Sequence, residues 1–206
     1  MTSDGGMLVT IEGIDGTGKT TLKESLTSPD VGTTPENLYK TQEPTEGPIG
    51  ELLRSHLSKG TFATEAELHL FIADHANHLQ QIKAELEKGK IVICDRYIDS
   101  RCAYQAPGIE DQYDNPLGHI YGLHQPWTIE PDLTILLDAD PKVAVDRLDT
   151  DDKFEREETL SRIRENYLEL KKRHERIKMI DTCELPEKGV KVAAANRIKK
   201  RVTDTL

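Results

Sequence analysis

The sequence predicts an α/β protein built on a parallel sheet with helices on both faces. Three observations carry this expectation. Short apolar runs of β type alternate with stretches of helical period along the chain, the rhythm of buried strands joined by crossover helices. The 206 residues show no internal repeat and no low-complexity linker, which predicts one domain long enough to bury its own core. A composition of 36% hydrophobic and 31% charged residues matches a packed interior under a well-solvated surface.

Each element follows in order. Residues 1–6, MTSDGG, are polar and Gly-rich and read as an extension, with the domain running from 7 to 206. Leu8 to Glu12 is a strand, followed by a helix from about Lys19. Leu38 to Thr41 is the next strand, and a helix follows near Ile49 to Leu57. The longest helical pattern spans about Glu65 to Lys88, with Leu68, Phe71, Ile72, His75, Leu79, Ile82 and Leu86 at steps of three and four, closed by Gly89. Its periodic face is buried or lines a pocket. Ile91 to Cys94, Asp132 to Leu137 and Met179 to Asp181 complete the strands, and a helix ends the chain. Asp149 to Glu158, DTDDKFEREE, carries six acids, one Lys and one Arg between two helical patterns, and reads as an exposed, mobile excursion.

Composition also excludes classes of function. No apolar run approaches the roughly 18 residues of a membrane span, and the N-terminus has no apolar signal core, so no membrane is expected. Cys94, Cys102 and Cys183 form no CxxC pair, and an odd count favours a reducing compartment, the cytoplasm. The net charge of -10 repels phosphate backbones, so no nucleic-acid partner is expected. A small anionic substrate held by a few cations remains compatible with that charge.

Residues 13–20 read GIDGTGKT, matching GxxxxGK[ST] directly after an apolar run and directly before a helical pattern. Glycines let successive N–H groups turn toward phosphate oxygens at a helix N-terminus. Gly13, Ile14, Asp15, Gly16, Thr17, Gly18, Lys19, Thr20 and Thr21 therefore form a cradle for a nucleoside triphosphate. Lys19 reaches the β and γ phosphates, and Thr20 offers its hydroxyl to Mg²⁺. The predicted fold is accordingly a three-layer P-loop α/β fold with a short lid segment.

The strand KIVICDRY ends in Asp95, placed to deliver an acid to the Mg²⁺ site. A water-activating enzyme would favour Glu next; here Arg96 follows, and a guanidinium suits a phosphate acceptor better than a water nucleophile. No NKxD, HRD or DFG motif is present, which leaves small-molecule phosphoryl transfer as the reaction.

At this point the chain resembles the thymidylate kinase family. The resemblance rests on IEGIDGTGKTT at 11–21, EPTEGPIGELLR at 43–54, LFIADHANHL at 70–79, CDRYIDSRCAYQ at 94–105, PDLTILLDAD at 131–140 and DKFE at 152–155. It implies a homodimer that transfers the ATP γ-phosphate to dTMP. Asp15 would hold the sugar 3′-hydroxyl, Phe71 would stack on thymine, and Arg54 and Arg96 would hold the acceptor phosphate. Tyr104 would lie at C2′ with Gln105 near it. Departures stand beside these matches. Gln42 and His75 occupy positions where many members carry Arg, and Arg101 occupies one usually smaller and neutral. His75 and Arg101 are expected to read the thymine edge together.

Phosphoryl transfer needs positive charge beside the migrating group, and no Arg lies within Gly13 to Thr20. The segment 149–158 is therefore expected to act as a lid. Lys153 and Arg156 are its catalytic cations, while Arg147, at the end of the preceding helix, lies against adenine.

Overall fold

The computed structural model describes residues 5–57, 59–60, 62–148 and 157–205. Five strands form one sheet: β1 (Met7–Glu12), β2 (Leu38–Gln42), β3 (Ile91–Asp95), β4 (Leu133–Asp138) and β5 (Ile177–Asp181). Their order is β2-β3-β1-β4-β5, and every neighbouring pair is parallel. The chain leaves β1 with strands on both sides of it, so its C-terminal end opens the crevice where an open α/β sheet binds ligands.

The sheet separates two hydrophobic clusters, as alternating side chains of a strand demand. On one face Leu8, Val92, Cys94 and Leu136 pack with α4 (Thr64–Glu87), α5 (Ile98–Gln105), α6 (Pro116–His124) and α8 (Glu157–Arg173). On the other, Val9, Ile11, Ile93 and Ile135 meet α1 (Lys19–Ser25), α2 (Ser28–Val31) and α9 (Glu187–Thr205). Among the described residues, α3 (Pro48–Leu57), α7 (Pro141–Val145) and two 3-10 turns, Pro35–Asn37 and Ala106–Gly108, complete the elements.

The expected strands are all present, β5 beginning two residues earlier than its apolar pattern suggests. Two helices carry no readable period. In α5, IDSRCAYQ, the polar Asp99, Ser100, Arg101 and Gln105 are buried with the apolar residues, so polarity does not mark its outer face. In α6 two glycines dilute the pattern, and the helix starts on a local signal, Asn115 accepting from the Gly118 N–H at 3.1 Å. Among the described residues no helix is long and apolar enough to cross a membrane.

Candidate active site

The phosphate loop joins β1 to α1. Gly16 has φ 79°, and a Cβ there would stand 2.2 Å from the Ala144 carbonyl oxygen, so the loop is seated against α7 only because that side chain is absent. Gly18, at φ 87°, caps α1 in a left-handed conformation, with no heavy atom within 4 Å of where its Cβ would be. The first turn of α1 carries no acid that would compete for its unpaired N–H groups.

Lys19 is buried, its Nζ donating to the Ile14 carbonyl at 2.8 Å and lying 3.9 Å from Asp15 Oδ1. Burial, reinforced by the Arg96 charge, lowers its pKa to about 8 against the pull of Asp15, Asp95 and Glu12. Thr20 Oγ1 donates to Asp95 Oδ2 at 2.8 Å, because the pairing of Ile11 with Asp95 brings the end of β3 beside the loop. Asp95 Oδ1 is buried with no hydrogen-bond partner among the described residues. A hydroxyl and a carboxylate with one unsatisfied oxygen form a donor set that suits a hard divalent cation.

Arg96 has φ 67°, a left-handed conformation that costs a bulky residue about 1–3 kcal/mol and is held by its N–H bond to the Ile11 carbonyl. That backbone turn aims its guanidinium across the site. Nη2 donates to Asp15 Oδ1 and, at 3.2 Å, to Tyr104 Oη, while the guanidinium carbon lies 4.7 Å from the Tyr104 ring centroid. Burial alone would raise the Asp15 pKa, but Arg96 and then Lys19 hold it below its ordinary value. Asp15, Arg96 and Tyr104, drawn from three stretches of sequence, therefore meet beside Lys19, whose Nζ lies 3.9 Å from the same Asp15 oxygen that Arg96 holds.

The remaining expected residues divide into those the fold brings to this crevice and those it does not. Gln105 and Tyr104 line a cavity of about 440 Å³ with Glu67, Phe62 and Ile163, and Gln105 Oε1 is buried with no partner among the described residues. Phe71 is buried, and the Arg101 guanidinium lies over its ring at 4.3 Å from the centroid. Arg54 is exposed on α3 and donates to the carbonyls of Pro44, at 3.0 Å, and Thr45. His75 is fully buried, with Nδ1 2.9 Å from Glu43 Oε1 and Nε2 2.8 Å from Thr128 Oγ1. Both ring nitrogens are thereby engaged within the protein. Gln42 accepts from Lys23 Nζ at 2.5 Å.

Arg147 lies in the turn beyond α7 rather than at a helix end, and donates to the carbonyls of Gly16 at 3.4 Å and Thr182 at 3.2 Å. It lines a second cavity of about 340 Å³ whose other walls are Gly16, Thr17, Gly18, Thr21, Leu185 and Val190. The 182–190 wall has no motif and is invisible in the sequence. Lys153 and Arg156 lie outside the described residues. Of the segment expected as a lid, 149–156 lies outside the described residues, and Glu157 and Glu158 open α8.

Sequence reasoning also missed Glu12. It is fully buried at the end of β1 and accepts from the Tyr97 N–H at 2.8 Å, Ser100 Oγ at 2.5 Å and Tyr167 Oη at 3.1 Å. Burial, with Asp99 adding to it, raises its pKa to about 7. An acid ending an apolar strand gives no hint that it stays inside.

A parallel sheet with a phosphate loop after β1, and Thr20 of α1 paired with Asp95 at the end of β3, defines a nucleotide-binding protein of the P-loop class. Comparison narrows it. Residues 11–191 match the thymidylate kinase family model. A probable thymidylate kinase of Methanococcoides burtonii is 44% identical over 182 residues, covering 86% of this chain and 89% of that protein. One from Halobacterium salinarum strain R1 is 42% identical over 192 residues, covering 92% and 94%. The structure of the Candida albicans thymidylate kinase superposes with a TM-score of 0.80 at 26% identity, over 97% of this chain and 93% of that one. That of Ehrlichia chaffeensis gives 0.68 at 28%, over 98% of each. The chain belongs to the thymidylate kinase family.

Proposed function

We propose that this protein phosphorylates dTMP to dTDP with MgATP by direct in-line transfer, as a step in making dTTP. The observation that carries the reading is the meeting of Asp15, Arg96 and Tyr104 beside Lys19 of the phosphate loop. A device that only binds and hydrolyses a triphosphate has no use for an acceptor-side cation and aromatic wall.

Lys19 stabilises the charge that spreads over the migrating phosphoryl group. Thr20 and Asp95 would hold Mg²⁺, which would supply positive charge against the donor phosphates. Arg96 exchanges Asp15 for the acceptor phosphate, which frees the Asp15 carboxylate for the 3′-hydroxyl of the sugar. Tyr104 packs at C2′, where a ribose hydroxyl has no room. Phe71 supports the base and Gln105 borders it, and Arg54 leaves the carbonyls it now holds to reach the phosphate. Arg147 and the 182–190 wall accommodate adenine, and Lys153 and Arg156 close over the phosphates from the 149–158 lid.

The protein works as a homodimer of single domains, each running from residue 7 to 206, in the cytoplasm, in keeping with the unpaired state of Cys94, Cys102 and Cys183. The test is ADP formation with dTMP, dUMP, thymidine and AMP side by side. Turnover highest with dTMP is expected. Turnover confined to thymidine or AMP would overturn the reading.

A further inference from the structure

Arg96 reaches the acceptor side from a left-handed backbone, and on the dTMP kinase reading it gives up Asp15 when the acceptor phosphate arrives. Its aim must then come from elsewhere in the protein. The two peptide units flanking a Cα fix the φ and ψ of that residue. At Arg96 both units are pinned. The Arg96 N–H donates to the Ile11 carbonyl at 3.0 Å, and the Tyr97 N–H donates to Glu12 Oε1 at 2.8 Å. On the other edge of the second unit, Cys94 Sγ donates to the Arg96 carbonyl at 3.0 Å. Consecutive residues at the end of β1 therefore hold one unit each, Ile11 through its backbone and Glu12 through its side chain.

Glu12 also reaches the far end of Arg96. Its Oε2 accepts from Ser100 Oγ at 2.5 Å, and Ser100 Oγ accepts from Arg96 Nη1 at 3.4 Å. Tyr167 Oη of α8 donates to Glu12 Oε2 at 3.1 Å and lies 2.8 Å from Ser100 Oγ, which closes the three groups into a triangle. Strand alternation turns Leu8, Thr10 and Glu12 toward the face covered by α5 and α8, so both helices meet the carboxylate. Glu12 is without exposure, and Ser100 and Tyr167 are buried with it. None of the three touches solvent, so a role in the reaction has to pass through a neighbour.

We propose that Glu12 is the positioning residue of Arg96, setting its backbone turn through the Tyr97 N–H and holding its guanidinium on the acceptor phosphate through Ser100. The inference rests on the dTMP kinase reading and adds to it a residue that never meets dTMP.

The experiment measures Kd for dTMP and for thymidine by titration calorimetry of the full-length chain, with kcat for dTMP alongside. The thymidine-over-dTMP ratio of Kd isolates the phosphate contact. Work at pH 8 keeps Glu12 ionised, above its pKa of about 7. Glu12→Met, Glu12→Gln and Ser100→Ala are each made with Arg96 in place and with Arg96→Met, and folding is checked by circular dichroism. Glu12→Met, close to Glu in size but without its acceptor oxygens, is expected to lower the ratio about tenfold and kcat about 100-fold, with Kd for thymidine and KM for ATP unchanged. Glu12→Gln keeps an acceptor for the Tyr97 N–H but turns an amide toward Ser100, and should lose about tenfold in kcat. It also sheds a buried charge at this pH, so it keeps the test open if Glu12→Met does not fold. In the Arg96→Met chain none of the three should lower the ratio or kcat further, because no guanidinium is left to aim.

Wild-type ratio and kcat in the folded Glu12 variants overturn the proposal. Equal losses with and without Arg96 also overturn it, and mark Glu12 as acting through Lys19, whose charge it also faces, or through the fold at large. Either result in a chain that phosphorylates dTMP overturns this inference alone. A wild type that neither binds nor phosphorylates dTMP overturns the dTMP kinase reading along with it.

Discussion

Glu12→Gln should change how stability depends on pH, by an amount the structure sets. Glu12 has no exposure, and burial, then the neighbouring Asp99, lift its pKa from 4.5 to about 7, against the hydrogen bonds from Ser100 and Tyr167 and the charge of Arg96. Its folded pKa lies above the unfolded one, so the native state holds the extra proton between those values. The stability it contributes is full below pH 4.5 and is lost as pH rises through 7. At about 1.4 kcal/mol for each pH unit between the two pKa values, the loss amounts to about 3 kcal/mol. Gln has nearly the same shape and cannot ionise. Relative to wild type, the variant should therefore gain about 3 kcal/mol between pH 4.5 and pH 8, or roughly 6–12 °C in Tm for a chain of this size. Urea and thermal unfolding followed by circular dichroism at pH 4.5, 6 and 8 measure the difference directly, since the other carboxylates cancel between the two proteins. Parallel stability profiles across that range would refute the buried titration of Glu12.

Other outcomes test the remaining parts of the structure. Lys19→Met should lower kcat by about 1,000-fold with an unchanged Tm, read by steady-state kinetics and thermal unfolding, because the ammonium acts mainly on transition-state charge. Gly16→Ala should raise the KM for ATP at least tenfold and cost about 2–4 kcal/mol in urea unfolding, since its Cβ meets the Ala144 carbonyl at 2.2 Å in a left-handed residue. Arg176→Met should cost about 3–5 kcal/mol, because Asp99, with no exposure, loses the guanidinium that donates to its two oxygens at 2.6 and 2.9 Å. The double variant Asp99→Asn/Arg176→Met should recover more than half of that loss in the same unfolding assay, by removing the stranded charge.

What could be read from the chain alone was what depends on near neighbours. The residues 13–20 specify a phosphate loop because glycine conformations and a helix start are local properties, and the structure has that loop between β1 and α1. The same holds for the apolar strands and for Asp95, whose place at a strand end becomes a place at the crevice once the sheet is parallel. His75 shows where local reading stops. Its helical spacing from Phe71 puts both on one face of α4, but whether that face meets base or protein depends on Glu43 and Thr128, 32 and 53 residues away. Arg101, a charge inside a polar-looking octapeptide, is buried only because Phe71 and Glu43 converge on it from α4 and from the turn after β2. The 182–190 wall of the second cavity and the buried state of Glu12 were likewise decided by packing across the sheet. A buried polar group is stable only among partners that satisfy it, and those partners come from distant parts of the chain, so no window of sequence contains the reason for its position.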